Sequence, residues 1–267
     1  MGLAQFLKRP QATDDKYSRG VVGFVTGSEQ YPGAALLGVT AAMRTGAGLV
    51  RYLGPKSVAD LVLASRPETV LQEGRADAWV AGSGVPVDAT EQVERIRALA
   101  ATQTLLVVDA GALEVIDFDT CAANCVLTPH AGEMAKLLTR LGHETSRQQV
   151  EADPLSAANL ATKLTQQLVV LKGNQTVIAK ADRVVQLAPA PTDLATAGTG
   201  DVLAGIIGAM LAANAQEINS GEVAMFDVVQ AAIELQSLAA QRAAKDSTVV
   251  ALDVAQAVGQ IVAEQTR

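Results

Sequence analysis

Residues 195–205 read A-T-A-G-T-G-D-V-L-A-G. Gly198 and Gly200 bracket a tight turn, where missing side chains let backbone N–H groups approach an anion closely. An uncharged apolar run, 202–213, follows at once and reads as a buried helix. The turn therefore sits at a helix N-terminus, whose free N–H donors and partial positive charge suit a phosphate. Asp201 stands where a substrate hydroxyl would meet that phosphate. Taken alone, the motif is explained more simply by a turn and an acid that caps a core helix.

Upstream, short apolar runs alternate with helical patterns. Runs at 21–26, 49–53, 78–81, 104–108, 125–127 and 168–171 read as strands, and 34–45, 56–64, 89–100, 132–140 and 155–166 as helices. Runs 177–180 and 184–187 read as a hairpin joined by Ala181, Asp182 and Arg183, and 201–213, 222–244 and 252–264 as helices. Such alternation builds βαβ units, so the expected class is α/β: a mostly parallel central sheet with helices on both faces. The strand runs end in Gly27-Ser28, Gly82-Ser83-Gly84, Asp109, Thr128-Pro129-His130 and Lys172-Gly173. That edge is where open α/β sheets bind ligands.

Composition narrows the function. The 267 residues are 49% hydrophobic but only 3% aromatic, with 22 glycines, so Ala, Val, Leu and Ile must form a closely packed core. The length and the lack of a linker or repeat make one domain over 1–267 the simplest organisation. A net charge of −7 argues against bulk attraction to nucleic acid or an anionic membrane, while leaving room for an anionic small molecule at a locally positive site. The apolar start is too short for a signal peptide and no stretch is long enough to span a bilayer, so a cytoplasmic protein is expected. Cys121 and Cys125 match no zinc spacing, His143 is isolated, and the two thiols read as small core residues. No protein-held metal site is expected.

Seven blocks resemble one family. They are G-S-E-Q-Y-P-G-A-A (27–35), R-T-G-A-G-L-V (44–50), A-G-S-G (81–84), V-V-D-A-G-A-L (107–113), L-T-P-H-A-G-E-M-A-K-L-L (127–138), V-V-L-K-G-N-Q-T-V-I (169–178) and the stretch at 195–205. Together they resemble the ADP- or ATP-dependent NAD(P)H-hydrate dehydratases, the carbohydrate-kinase-like branch of the ribokinase-like superfamily. G-T-G-D alone would indicate only a ribokinase-like kinase. Two positions depart from the pattern: Gly111 stands where the family usually has a second Asp, and Gly82-Ser83-Gly84-Val85-Pro86 where it often has G-P-G-L-G. The resemblance implies a ribokinase-like three-layer fold, without the epimerase domain fused to many bacterial relatives.

It also implies roles. Asp201 would be the catalytic base, and the amides of Gly198, Thr199 and Gly200 an anion hole. Lys172, Gly173, Asn174, Gln175 and Thr176, with Gly200, would hold ADP or ATP. Ala34, Gly84, His130 and Asp201 would bind the S epimer of NADH-hydrate or NADPH-hydrate. Each has a plainer alternative, a turn for Gly84 and Lys172-Gly173, a solvated or core histidine for His130, a helix cap for Glu133 and Asp109. Asp109 could instead order a phosphate-bound Mg²⁺ through water, Mg²⁺ being the expected cofactor. A homo-oligomer, such as a homotetramer, is implied. The competing functions are a vitamin or sugar kinase of the same superfamily and a non-catalytic nucleotide sensor, against which an intact Asp201 argues.

Overall fold

The structure is a computed structural model that describes residues 2–181, 183–245 and 248–267. After a 3₁₀ turn at Leu3–Phe6 come β1 (Val21–Val25), α1 (Pro32–Thr45), β2 (Leu49–Tyr52), α2 (Lys56–Ser65), β3 (Ala78–Ala81) and α3 (Thr90–Ala100). Then follow β4 (Leu105–Val108), the single-turn α4 (Ala112–Val115), β5 (Asn124–Leu127), α5 (Ala131–Arg140), α6 (Arg147–Ala152), α7 (Pro154–Thr165) and β6 (Leu168–Leu171). The hairpin of β7 (Val177–Lys180) and β8 (Arg183–Gln186) precedes α8 (Thr199–Ala213), α9 (Ala215–Ser220), α10 (Met225–Ala243) and α11 (Ala251–Gln265).

All strands join one sheet in the order β2-β1-β3-β4-β5-β6-β7-β8, parallel through β6 and antiparallel over the last two pairings. Because both faces are covered, the inner strands β1, β3, β4 and β6 are apolar throughout and alternate residues feed two cores. Phe24, Val80, Val107, Val126 and Val170 pack against α1, α8, α10 and α11 on one side. Val25, Trp79, Leu106, Leu127 and Val169 pack against α3, α5 and α7 on the other. The expected three-layer α/β architecture is present.

Helix α8 lies closest to the sheet, and every residue from Val202 to Ala212 is buried. A Cβ added at Gly205 would stand 2.2 Å from the Gly38 carbonyl oxygen, and one at Gly208 2.3 Å from Val80 Cγ2. Small residues thus let α8 press on both α1 and β3, setting the first turns of α1 and α8 side by side.

Several boundaries differ from expectation for identifiable reasons. Helix α1 starts at Pro32, since proline's fixed φ and missing N–H suit a first helical position. Helix α6 lies in a span left unassigned; it is too short for periodicity, yet Ser146 and Gln149 form a capping box. The helix expected over 222–244 starts only at Met225, after the separate α9 closes at Gly221. Arg183 belongs to β8 and not to the hairpin turn, whose Asp182 lies outside the described residues. Cys125 is buried as expected, but Cys121 is only half-buried.

The α1–α8 contact is testable. Gly205→Ala forces a methyl into the Gly38 carbonyl and should cost ~1–3 kcal/mol as overpacking, lowering the melting temperature by ~2–4 °C per kcal/mol. An unchanged melting temperature by calorimetry would show that α1 and α8 can separate freely.

Candidate active site

The C-terminal ends of β3, β4, β5 and β6 converge on one buried carboxylate. Asp109, directly after β4, is 3% exposed. It accepts hydrogen bonds from Ser83 Oγ after β3 (2.8 Å), Thr128 Oγ1 after β5 (2.7 Å) and Lys172 Nζ after β6 (2.8 Å). Parallel pairing makes this meeting possible: neighbouring strands end in register, and the next residue of each turns toward the same point. Lys172 N–H also donates to the Pro129 carbonyl at 2.8 Å, extending the ladder one step past β5 and β6.

The Lys172 ammonium lies 4.0 Å from Glu133 Oε2 and against the first turn of α8, where a Cβ at Gly200 would be 3.2 Å away. Three carboxylates surround this one cation. Burial pushes the Asp109 carboxyl up, but the Lys172 charge and the bonds from Lys172, Thr128 and Ser83 outweigh it and hold the group below the ordinary range. Burial likewise pulls the Lys172 ammonium down, and the charges of Asp109, Glu133 and Asp201 more than reverse it. Asp201 fares differently. Burial first, then the charge of Asp109, push its carboxyl up to about 6; Lys172 offsets this in part, and no hydrogen bond contributes. A capping aspartate is held low by backbone N–H bonds, so capping does not describe Asp201.

The turn before it is shaped for an anion. Gly198 caps α8 at φ +91°, and a Cβ there would lie 2.5 Å from Leu37 Cδ1, so the position takes only glycine. Thr199 Oγ1 donates back to the Leu194 and Thr196 carbonyls, and Gln236 Nε2 from α10 donates to the Thr199 carbonyl at 2.6 Å. The side chains are therefore spent on holding the loop, while the first amides of α8 remain open.

Beside this turn lies a cavity of about 490 Å³. Lys172, Gly173, Asn174, Thr176, Thr199, Gly200 and His130 line its polar end; Leu194, Leu203 and Ile233 line the apolar end. Gln175 faces away, into a neighbouring cavity of about 640 Å³ with His130, Arg147 and Gln186. Ala34 and Gly84 sit elsewhere again. Gly84 has φ +66°, and a Cβ on it would be 2.8 Å from the Ala34 Cβ, so the two form one wall without side-chain bulk. Ala34 is one helical turn before Gly38, whose added Cβ would lie 3.4 Å from the Asp201 carbonyl oxygen. The backbone of Asp201 thus packs on α1 one turn past Ala34.

His130 is exposed, as expected, and also has a structural role. Its Nδ1 accepts from the Gly132 and Glu133 amides, and Glu133 Oε2 accepts from the His130 N–H, a reciprocal cap on α5. The neutral ring then carries its proton on Nε2. The capping alternative for Glu133 is present in the structure. Asp109, in contrast, is no cap: its Oδ1 accepts from Thr128 and Lys172 and its Oδ2 from Ser83.

An eight-stranded, mostly parallel sheet with helices on both faces and a glycine turn at the N-terminus of α8 defines an α/β fold of the ribokinase-like type. The chain belongs to the NAD(P)H-hydrate dehydratase family, whose profile matches residues 22–262. It is 38% identical over 224 residues to the bifunctional NAD(P)H-hydrate repair enzyme Nnr of Corynebacterium glutamicum, covering 79% of this chain and 38% of that protein. It thus spans well under half of that relative's length. It is 33% identical over 210 residues to the ADP-dependent (S)-NAD(P)H-hydrate dehydratase of Neisseria meningitidis, covering 72% and 69% of the two chains. Among solved structures, the ADP/ATP-dependent NAD(P)H-hydrate dehydratase of Bacillus subtilis, co-crystallised with ATP/Mg²⁺, superposes with a TM-score of 0.84 at 26% identity over 99% of this chain and 96% of that one. Cryptococcus neoformans ribokinase in complex with ADP shares the fold, with a TM-score of 0.58 at 13% identity over 93% of this chain and 99% of that one.

Three features escaped the sequence. The Ser83–Asp109–Thr128 bonds depend on strand register, which the strand order alone reveals. Leu194, Ile233 and Gln236 come from segments with no motif: Leu194 ends a 3₁₀ turn before α8, and Ile233 and Gln236 reach the site because α10 packs on α8. The role of His130 as a cap was legible in principle, because Glu133 follows three residues later.

The raised carboxyl of Asp201 has a consequence for stability. Its folded pKa of about 6 exceeds the unfolded 3.8, so the ionised form opposes folding above about pH 6 and the penalty disappears below about pH 4. Asp201→Asn should melt higher than wild type near pH 8, and the gain should vanish at about pH 4. A lower melting temperature near pH 8 would mean that the carboxylate is a stabilising cap.

Proposed function

We propose that this chain is an ADP-dependent dehydratase that returns the S epimer of NADH-hydrate or NADPH-hydrate to NADH or NADPH, with 1–267 acting as one dehydratase domain. The observation that carries the proposal is the half-buried Asp201, without a hydrogen-bond partner among the described residues, in the first turn of α8 just after the Gly198 turn and beside the Lys172 ammonium.

The hydrate carries a hydroxyl on its nicotinamide ring. Asp201 accepts the proton of that hydroxyl as its oxygen attacks the terminal phosphoryl group of ADP, releasing AMP. The phosphate ester then leaves as inorganic phosphate while the ring double bond reforms. A hydroxyl is a poor leaving group and a phosphate a good one, so the nucleotide converts a slow elimination into a fast one. A carboxyl with a pKa near 6 suits the first step, being ionised at neutral pH yet a stronger base than an ordinary aspartate.

The amides of Gly198, Thr199 and Gly200 would stabilise charge on the moving phosphoryl group. Lys172, Gly173, Asn174 and Thr176 would hold the donor in the 490 Å³ cavity, with Gln175 supporting the loop from its other side. Ala34, Gly84 and the His130 Nε2–H would receive the hydrate. Among the described residues lining the cavity, Lys172 is the one Lys or Arg. That single cation favours a diphosphate donor over a triphosphate.

Mg²⁺ fits as a companion of the nucleotide. No group of three or more His, Cys, Asp or Glu among the described residues could hold a metal alone. Both Asp109 oxygens already accept hydrogen bonds, and Glu133 and Asp201 would reach, through water, an ion carried on the phosphates. Bound there, Mg²⁺ would neutralise charge on the phosphoryl oxygens.

The test is to supply purified protein with NADH-hydrate and ADP and follow reduced-nicotinamide absorbance. Absorbance should return, faster with ADP than with ATP. Asp201→Asn should bind ADP normally yet lose ~10²–10⁴-fold in turnover. A stable phosphorylated product with no return of absorbance would make the protein a small-molecule kinase instead, and near-wild-type turnover of Asp201→Asn would remove the base.

A further inference from the structure

The chain has two cysteines, and the fold brings them together away from the candidate site. Cys125 is the second residue of β5 and buried, while Cys121 lies half-buried on the segment before it. Their Sγ atoms are 3.6 Å apart, near van der Waals contact, and both lie within 3.8 Å of the Ala123 carbonyl oxygen. Cys121 also borders a surface hollow of about 150 Å³, ample for a molecule little larger than water, which occupies ~30 Å³. Cys125 has its backbone N–H held by Gln167 Oε1 at 2.8 Å, so the strand end of the pair is fixed.

We propose that Cys121 and Cys125 form an oxidation site, in which a hydroperoxide attacks Cys121 from the hollow and Cys125 closes an intrachain disulfide.

The geometry gives each sulfur a distinct part. Cys121 has access, and Cys125 has none. The hydrogen bond from the Cys125 thiol lowers the Cys121 pKa, against burial and the charge of Asp117, and raises that of Cys125. Arg97 and Asp117 flank the hollow, and Lys180 stands near Cys125. Cys121 is therefore the more readily ionised of the two sulfurs, and the thiolate is the form that reacts. The Cys121 thiolate attacks the terminal oxygen of the hydroperoxide: an S–O bond forms, the O–O bond breaks, the other peroxide oxygen leaves as alkoxide (hydroxide for hydrogen peroxide) and takes up a proton, and the sulfur loses two electrons to become a sulfenic acid. The Cys125 sulfur then attacks Cys121 Sγ; the S–S bond forms, the S–OH bond breaks, and water leaves with the Cys125 proton. In sum, two thiols and one hydroperoxide yield a disulfide, water and the reduced peroxide fragment. Bonding needs the sulfurs to close to ~2.05 Å, a short movement from their present contact. A dithiol reductant reverses it.

The test treats the reduced full chain with equimolar hydrogen peroxide, blocks free thiols with N-ethylmaleimide, and reads intact mass. The expected protein has lost two hydrogens, carries no maleimide and regains both thiols with dithiothreitol. Cys125→Ser should leave a Cys121 sulfenic acid that dimedone captures, whereas Cys121→Ser should keep its Cys125 thiol unreacted. Addition of oxygen atoms to wild type without an internal disulfide, retention of both thiols, or a disulfide-linked dimer would each overturn the proposal. The wild-type mass decides even if a variant fails to fold.

Discussion

The site depends on one buried ion pair, Asp109 with Lys172, at 2.8 Å. Removing one partner of such a pair typically costs ~3–5 kcal/mol, because the other charge is left without compensation. Here the pair also fixes position. Through Ser83 and Thr128, Asp109 ties the ends of β3, β4 and β5 to the lysine that follows β6. Four separate strand ends are thereby held as one unit.

The same pair sets the charge of the site. Asp109, Glu133 and Asp201 face a single ammonium, so the cluster alone would repel a nucleotide. Attraction must come from the open amides of α8, whose partial positive charge lies at the turn of Gly198 to Gly200. In the proposed function a divalent cation on the phosphates would complete the balance. In the proposed reaction the same excess of negative charge would help keep Asp201 basic. The fold accepts an unfavourable carboxylate where the chemistry needs one.

Much of this was legible in the sequence. Alternating apolar strands and helices gave the sheet, and the residues after each strand gave the binding edge, because a parallel sheet leaves its loops no other place. The hydrophobic run after Asp201 announced the helix that presents it. What stayed hidden was pairwise. Asp109 could be read as a cap or a metal contact, since nothing local says that Lys172, 63 residues on, will take its oxygen. Gln175 looked equivalent to its neighbours in the loop, but the turn sends it to the other side. Cys121 was read as core because C-x₃-C carries no exposure signal, whereas the segment before β5 runs at the surface.

The most direct measurement is the pH dependence of kcat/KM for wild type and Asp109→Asn, which reports the free enzyme's essential base. For wild type the activity should fall on the acid side with a midpoint near pH 6, as Asp201 takes up its proton. In Asp109→Asn, loss of the neighbouring negative charge should move that midpoint lower. An acid limb at the same pH in both proteins would contradict the account, because Asp201 would then not be under the influence of the Asp109–Lys172 pair.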